Sequence, residues 1–268
     1  MSSDQNPDHQ FGALELSLRA ARSKGRKLLV PYVTGGLSPD WTDVIAAIAA
    51  AGADAIEVGI PFSDPVMDGP VIQEASQRAL AAGATPTSVI GSLAEVDAGV
   101  PLAVMTYYNP VFRSGHERFA MTLAAHGVAA AIVPDLPLEE AGPWTEAADA
   151  AGVETIMLAA PTAPDERLPR ICARSRGFVY GVGLVGITGE RSHLAASATE
   201  IARRLKAVTD IPVLVGIGVS NAAQAAEVAQ IADGVIVGSA LVRRLLEGAG
   251  PSGAAKFIAE LRSGLDDH

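Results

Sequence analysis

Eight short β-rich runs recur along the chain, and they constrain its fold more than any other feature of the sequence. Segments with helical periodicity separate them, for example residues 38–52, 85–99 and 220–232. Strands that alternate with helices pair in parallel, and runs rich in Val, Ile and Ala are typical of strands covered on both faces. The runs occupy residues 28–34, 54–58, 101–107, 129–134, 153–158, 177–182, 212–217 and 234–238.

Eight strand and helix units in roughly 250 residues match the count and size of a (β/α)8 barrel. We therefore predict an α/β protein with a single (β/α)8 TIM barrel over residues 11–263 and a possible extra helix at its N-terminal end. Residues 1–10 are expected to form a flexible tail, and residues 264–268 a short C-terminal tail. An open doubly wound sheet is the alternative, but it would usually carry a glycine-rich phosphate loop after the first strand. The segment TGGLSPD at 34–40 lacks that pattern.

Composition limits the class of partner. The chain has 30 acidic and 20 basic residues and a net charge of −10, which argues against nucleic acid or an acidic membrane surface as the main partner. Backbone amides could still bind a small anion. A lone cysteine, Cys172, and a polar N-terminus without an apolar signal segment predict a cytoplasmic protein with no membrane span. The five histidines show no ligand spacing, so we expect no metal site.

One acidic residue, Glu57, stands inside a strand that is otherwise apolar. Side chains alternate along a strand, so Ile56 and Val58 share one face and Glu57 lies on the other. The apolar pair should face the helices, which turns Glu57 into the barrel near the C-terminal end of its strand, where barrels build active sites. Burial should raise the pKa of this carboxyl and make it both a proton donor and an acceptor. A structural ion pair is the alternative, although the next basic residue is Arg78.

Two further acids, Asp64 and Asp68, lie in the loop that follows this strand. The loop is stiffened by Pro61, Pro65 and Pro70, so the carboxylates are held in place. Aspartate is also a common turn residue, and either acid alone could be structural.

Glycines mark the ends of the last two strands. Gly216 and Gly218 follow the seventh strand, Gly238 and Ser239 follow the eighth, and a helix comes next in both places. Glycine lets the backbone approach a ligand closely, and a helix N-terminus presents free amides to it. The loops after strands 7 and 8 often hold a phosphate in barrels of this kind. We therefore predict a phosphate site here, with ordinary tight turns as the alternative.

A long glycine-rich loop, GVGLVGITGERSHLAAS at 181–197, follows the sixth strand. Its length and composition are typical of a lid that closes over a ligand and excludes water. Thr188 and Gly189 could then reach the site. A surface loop without function is the alternative.

Five segments carry a resemblance to a known family: VGIPFSDPVMDGPVIQ (58–73), VPDLPLEEA (133–141), YGVGLVGITG (180–189), VGIGVSN (215–221) and VGSALV (237–242). In order and spacing, over about residues 14–262, they resemble the α subunit of tryptophan synthase. The resemblance implies a barrel lyase that splits indole-3-glycerol phosphate into indole and glyceraldehyde 3-phosphate. It places Glu57 at the general acid/base position and Asp68 at that of the second catalytic acid.

The resemblance also implies binding residues and a partner. Asp64 and Pro65 would lie at an interface with the β subunit, which contains pyridoxal phosphate and receives indole directly in an α2β2 assembly. No cofactor is implied for this chain itself. Ile217 and Leu184 depart from the family, where phenylalanine and a basic residue are frequent. The implied substrate and phosphate contacts are Tyr180, Thr188, Gly189, Gly216, Gly218, Gly238 and Ser239, with Tyr107 and Asn109 at the rim near the third strand.

Three alternative functions stay open at this point. One is a stand-alone lyase with the same site and no partner. Another is a phosphate-binding barrel isomerase of histidine or tryptophan synthesis, which would lack the PFSDP block. The third is a regulatory subunit that binds ligand without turnover, against which Glu57 and Asp68 argue.

Overall fold

Eight parallel strands close into a barrel in the computed structural model, which describes residues 11–183, 191–216 and 218–267. Each strand pairs with the next in sequence, and β8 pairs with β1. The predicted α/β barrel is therefore confirmed, with every strand overlapping one of the eight β-rich runs. The strands are Leu28–Thr34 (β1), Ile56–Gly59 (β2), Leu102–Met105 (β3), Ala130–Ile132 (β4), Glu154–Ala159 (β5), Val179–Val182 (β6), Val213–Gly216 (β7) and Gly234–Val237 (β8).

Helices surround the barrel and connect its strands. In the described parts of the chain, none of them is long and apolar enough to cross a membrane. The helices are Ala13–Ser23 (α1), Trp41–Ala50 (α2), Pro70–Ala81 (α3), Pro86–Leu93 (α4), Tyr108–Ser114 (α5), His116–Ala125 (α6), Gly142–Ala150 (α7), Leu168–Arg174 (α8), Arg191–Lys206 (α9), Ala222–Ala229 (α10), Ser239–Leu246 (α11) and Gly250–Asp266 (α12).

The strands separate two apolar layers, as side-chain alternation requires. Ile56 and Val58 are fully buried in the outer layer between strands and helices. Ala55 and Ala103 belong to the inner layer, which fills the barrel. Glu57 lies on the inner side with them, as the sequence predicts.

The expected N-terminal helix is present as α1, and it closes the bottom of the barrel. Leu14 and Leu18 are fully buried against the inner layer. The carboxylate of Glu154, on β5, accepts the backbone N–H groups of Leu14 at 2.7 Å and Glu15 at 3.0 Å. These amides have no partner within the helix, so Glu154 caps α1 from another element. With the bottom sealed, the C-terminal ends of the strands are the open end.

The predicted C-terminal tail at 264–268 needs correction, because α12 continues through Asp266. Leu265 is buried, and Arg262 forms an ion pair with Asp266 at 2.8 Å one helical turn away. Asp266 and Asp267 are therefore exposed at the end of a packed helix. The tail predicted at 1–10 lies outside the described residues.

Candidate active site

Glu57 points into the open end of the barrel. Its strand lies between β1 and β3, and in the register Glu57 stands beside Tyr32 and Ala103. Its side chain is almost completely buried, and within the described residues its Oε2 atom has no hydrogen-bond partner. A buried carboxyl with an unpartnered oxygen is costly when charged.

The pKa of Glu57 is raised to about 8, first because burial removes water from the charged form and second because of the negative charge of Asp68. No cation among the described residues contributes to this pKa. The alternative of a structural ion pair therefore has no support from the described neighbours. At neutral pH most molecules carry a protonated Glu57, which can donate a proton and then act as a base.

Asp68 approaches the same space from the loop 60–69, which joins β2 to α3. Its side chain is partly buried, and burial raises its pKa while hydrogen bonding to Tyr107 acts in the opposite direction. The loop is held on both sides of Asp68. The hydroxyl of Tyr107 accepts the N–H of Met67 at 2.9 Å, and the carbonyl of Asp68 accepts the side-chain amide of Gln73 at 2.8 Å.

A cavity of about 210 Å³, the mouth cavity, lies between these two acids at the C-terminal ends of the strands. It brings together seven of the predicted site residues from five separate segments. Thr188, Gly189, Leu184 and Ile217 lie outside the described residues. The cavity is lined by Tyr32, Glu57, Met67, Asp68, Gly69, Ile72, Met105, Pro134, Leu158, Tyr180, Val182, Gly216, Gly218, Ile236, Gly238 and Ser239.

Two tyrosines fill the inner wall of the mouth cavity, and each needs a glycine beside it. A Cβ atom on Gly59 would lie 1.8 Å from the hydroxyl oxygen of Tyr32. One on Gly216 would lie 2.6 Å from the hydroxyl oxygen of Tyr180. Burial raises the pKa of both phenols, so their hydroxyls stay protonated and can donate hydrogen bonds. Tyr32 was not predicted as a site residue. Val30, two residues earlier in β1, faces into the barrel, so side-chain alternation could have identified Tyr32 as another inward residue.

The predicted phosphate loops lie on one side of the mouth cavity. Gly218 has a φ of +57°, a conformation that favours glycine, and α11 begins at Ser239 directly after Gly238. No Lys or Arg is found among the described residues that line this cavity. An anion bound here would therefore depend on backbone amides and on the hydroxyl of Ser239.

A larger cavity of about 570 Å³ adjoins the mouth cavity between α7 and α8. Both are lined by Met67, Pro134 and Leu158. The larger one contains neither Glu57 nor Asp68 in its wall, and size alone does not make it the reaction site.

The predicted interface residues Asp64 and Pro65 lie in the same loop as Asp68. Asp64 is exposed and accepts a hydrogen bond from Ser63, and Pro65 is half-buried. The next two residues, Val66 and Met67, are 78% and 54% exposed, which is unusual for large apolar side chains.

Metal ligands do not cluster in the part of the chain that the structure describes. There, no three His, Cys, Asp or Glu side chains are placed to hold a metal ion together. Cys172 is free and buried, and burial raises the pKa of its thiol to about 11, so it is an unreactive packing residue.

Comparisons with known proteins agree with this geometry. A family model described as tryptophan synthase alpha chain matches residues 18–263. The tryptophan synthase alpha chain of Thermobifida fusca is 48% identical over 263 residues, which cover 94% of this chain and 97% of the relative. That of Streptomyces coelicolor is 48% identical over 258 residues, covering 93% and 95%.

Comparisons with solved structures indicate the same family. The structure of Mycobacterium tuberculosis tryptophan synthase in space group F222 contains a chain that is 41% identical, with a TM-score of 0.88 and coverage of 96% of this chain and 99% of that chain. The tryptophan synthase subunit alpha of Legionella pneumophila is 31% identical, with a TM-score of 0.87 and coverage of 97% and 100%. From its sequence and its fold, this chain belongs to the tryptophan synthase alpha chain family.

Proposed function

We propose that this chain is the α subunit of a tryptophan synthase, a carbon–carbon lyase that cleaves indole-3-glycerol phosphate into indole and glyceraldehyde 3-phosphate. The observation that carries the proposal is the placement of Glu57 and Asp68 on one cavity, in a chain of this family. Their environments differ, since Glu57 is deeply buried and Asp68 is on a partly exposed loop.

The reaction is a retro-aldol cleavage. Carbon C3 of the indole ring must gain a proton, and the hydroxyl on the neighbouring side-chain carbon must lose one, so that the carbon–carbon bond breaks and an aldehyde forms. Glu57 is protonated at neutral pH and can supply the proton to C3; the resulting carboxylate can then accept the hydroxyl proton. Protonation at C3 leaves positive charge on the ring nitrogen. The Asp68 carboxylate would accept the N–H and stabilise that charge.

Binding of the phosphate is assigned to the loops after β7 and β8. The amides around Gly218, Gly238 and Ser239 are proposed to hold it, with Thr188 and Gly189 closing from the loop after β6. Tyr180 is proposed to contact the substrate from the inner wall, and Gly216 to leave room for that ring.

A β subunit is proposed to dock on the loop that carries Asp68. The apolar side chains of Val66 and Met67 stand exposed there. Asp64 and Pro65 would take part in this interface of an α2β2 complex. Pyridoxal phosphate would belong to the partner alone, because the acid–base steps proposed for this chain call for no cofactor of its own.

A cytoplasmic location is part of the same proposal. The only cysteine, Cys172, is a free thiol, which fits a reducing compartment.

The test is the release of indole from indole-3-glycerol phosphate by the purified chain, with and without a β subunit. Glu57→Gln and Asp68→Asn should each lower kcat by roughly 10²- to 10⁴-fold, the usual size of an acid–base contribution. Glu74→Gln, on the exposed face of α3, serves as the matched control and should leave kcat unchanged. A Glu57→Gln variant with more than about a tenth of wild-type turnover would contradict the assigned role.

A further inference from the structure

Tyr107 is a buried residue that contacts the loop 60–69 from the segment between β3 and α5. It follows β3, directly before α5, and only 5% of its surface is exposed. Its ring is stacked on that of Phe62, with centroids 5.0 Å apart and planes 23° apart. Its hydroxyl oxygen accepts the N–H of Met67 at 2.9 Å. The side chain of Tyr107 therefore contacts the loop at two places, at Phe62 near its beginning and at Met67, the residue before Asp68.

The loop has few other anchors. Ser63, Asp64, Val66 and Met67 all have exposed side chains. Segments with few buried contacts lie at the low-stability end of a fold and sample several conformations. A catalytic group on such a segment loses efficiency quickly, since a displacement of about 1 Å can cost about 10²-fold in rate.

The hydrogen-bonding capacity of Tyr107 suits the task of orienting a carboxylate. A phenol has one donor and can also accept, and here the oxygen already accepts the Met67 N–H. Its O–H is left to donate, and hydrogen bonding to Tyr107 favours the charged form of Asp68. Burial is the main reason why the pKa of Tyr107 is raised to about 12, so the phenol keeps its proton through the neutral range.

Tyr107 itself is not among the described residues that line the mouth cavity. We propose that Tyr107 is a positioning residue for Asp68: it fixes the loop 60–69 through Phe62 and Met67, so that the Asp68 carboxylate faces the reacting indole ring. This inference rests on the proposed lyase function and extends it by one residue, Tyr107, which acts on the reaction through Asp68.

The first test replaces only the hydroxyl. Tyr107→Phe keeps the ring that stacks on Phe62 and removes the acceptor of the Met67 N–H. Hydrogen–deuterium exchange of the full-length chain should show the Met67 amide exchanging about 3- to 10-fold faster, the range that corresponds to one ordinary hydrogen bond. Tyr108→Phe is the matched control, because its hydroxyl bonds to His116 at 2.9 Å. It should leave the Met67 amide unchanged.

The second test links the loop to catalysis. In the presence of a β subunit, Tyr107→Phe should lower kcat for indole release about 3- to 10-fold and change KM less than about twofold. The same substitution in an Asp68→Asn background should have no further effect on kcat, because the group that it positions is already gone. A purely structural role would lower kcat by the same factor in both backgrounds.

Each outcome decides the proposal. Unchanged exchange at Met67, or fully additive effects of Tyr107→Phe and Asp68→Asn on kcat, would overturn the positioning role. Faster exchange with a non-additive loss of kcat would support it. If the wild-type chain released no indole, the lyase function and the catalytic part of this proposal would both be overturned, whereas faster exchange at Met67 would still establish the contact that holds the loop.

Discussion

Replacing Glu57 by glutamine should make the folded chain more stable at neutral pH, and the gain should grow as the pH rises. Burial and the charge of Asp68 raise the pKa of Glu57 from 4.5 to about 8. Between these two values the folded chain keeps a proton that the unfolded chain releases. Raising the pH therefore favours the unfolded state. Glutamine has no proton to lose, so the variant should lack this part of the pH dependence.

The size of the effect follows from the two pKa values. The stability associated with protonated Glu57 is fully present below pH 4.5, falls as the pH rises, and reaches its minimum above about pH 8. Each pH unit between those limits corresponds to about 1.4 kcal/mol. At pH 7 the free energy of unfolding of the wild type should therefore be lowered by about 3 kcal/mol, a loss that does not occur in Glu57→Gln. This is an upper limit, because water entering the mouth cavity would reduce the penalty for the charged form.

Urea unfolding at pH 5, 6, 7 and 8 and constant ionic strength measures the difference. The free energy of unfolding of Glu57→Gln minus that of the wild type should increase steadily across the series, because the titrations that the two chains share cancel. Glu227→Gln, at an exposed position of α10, should show no such trend. A difference that is equal at pH 5 and pH 8 would refute the reasoning, since it would mean that the pKa of Glu57 is the same in the folded and unfolded chains.

Two further substitutions test the walls of the barrel. Gly216→Ala should raise KM for indole-3-glycerol phosphate or lower kcat several-fold, because its Cβ would lie 2.6 Å from the Tyr180 hydroxyl oxygen. Gly91→Ala is the control, since its Cβ would meet nothing within 4 Å, and it should leave steady-state kinetics unaltered. Glu154→Ala should lower the free energy of unfolding by about 1 to 3 kcal/mol, because two buried N–H groups of α1 lose their acceptor, and urea titration would show the loss. At the closed end of the barrel it should not affect kcat, and a changed kcat at unchanged stability would contradict this view of α1.

Local rules explain why so much of the barrel could be predicted from the sequence. The spacing of the eight β-rich runs gives the architecture, and two-residue alternation gives the direction of Glu57, because both depend only on neighbours along the chain. Asn221, a residue type favoured directly before a helix, caps α10, because its side chain accepts the backbone N–H of Gln224 at 3.0 Å. This cap is also local, three residues away.

Other features depend on residues that are distant in sequence. The fit of Tyr32 against Gly59 joins β1 to β2, and the hydrogen bond from Met67 to Tyr107 spans 40 residues. Neither pairing has a pattern of its own in a single sequence. The prediction of a C-terminal tail at 264–268 was wrong for a related reason. The polar residues there are typical of a tail, and only the burial of Leu265 in the tertiary structure shows that the helix continues.

The two acids show why a chain keeps a costly group inside its barrel. Glu57 has no cation beside it among the described residues, and burial keeps it protonated near neutral pH. Burial also raises the pKa of Asp68, but its side chain is less deeply buried than that of Glu57, and hydrogen bonding to Tyr107 acts in the opposite direction. The negative charge of Asp68 in turn raises the pKa of Glu57. The two carboxyls at one cavity therefore lie in different environments, and such a difference suits one to donate a proton and the other to stabilise positive charge. The stability that Glu57→Gln should recover is the free-energy cost of placing the Glu57 carboxyl in this buried position.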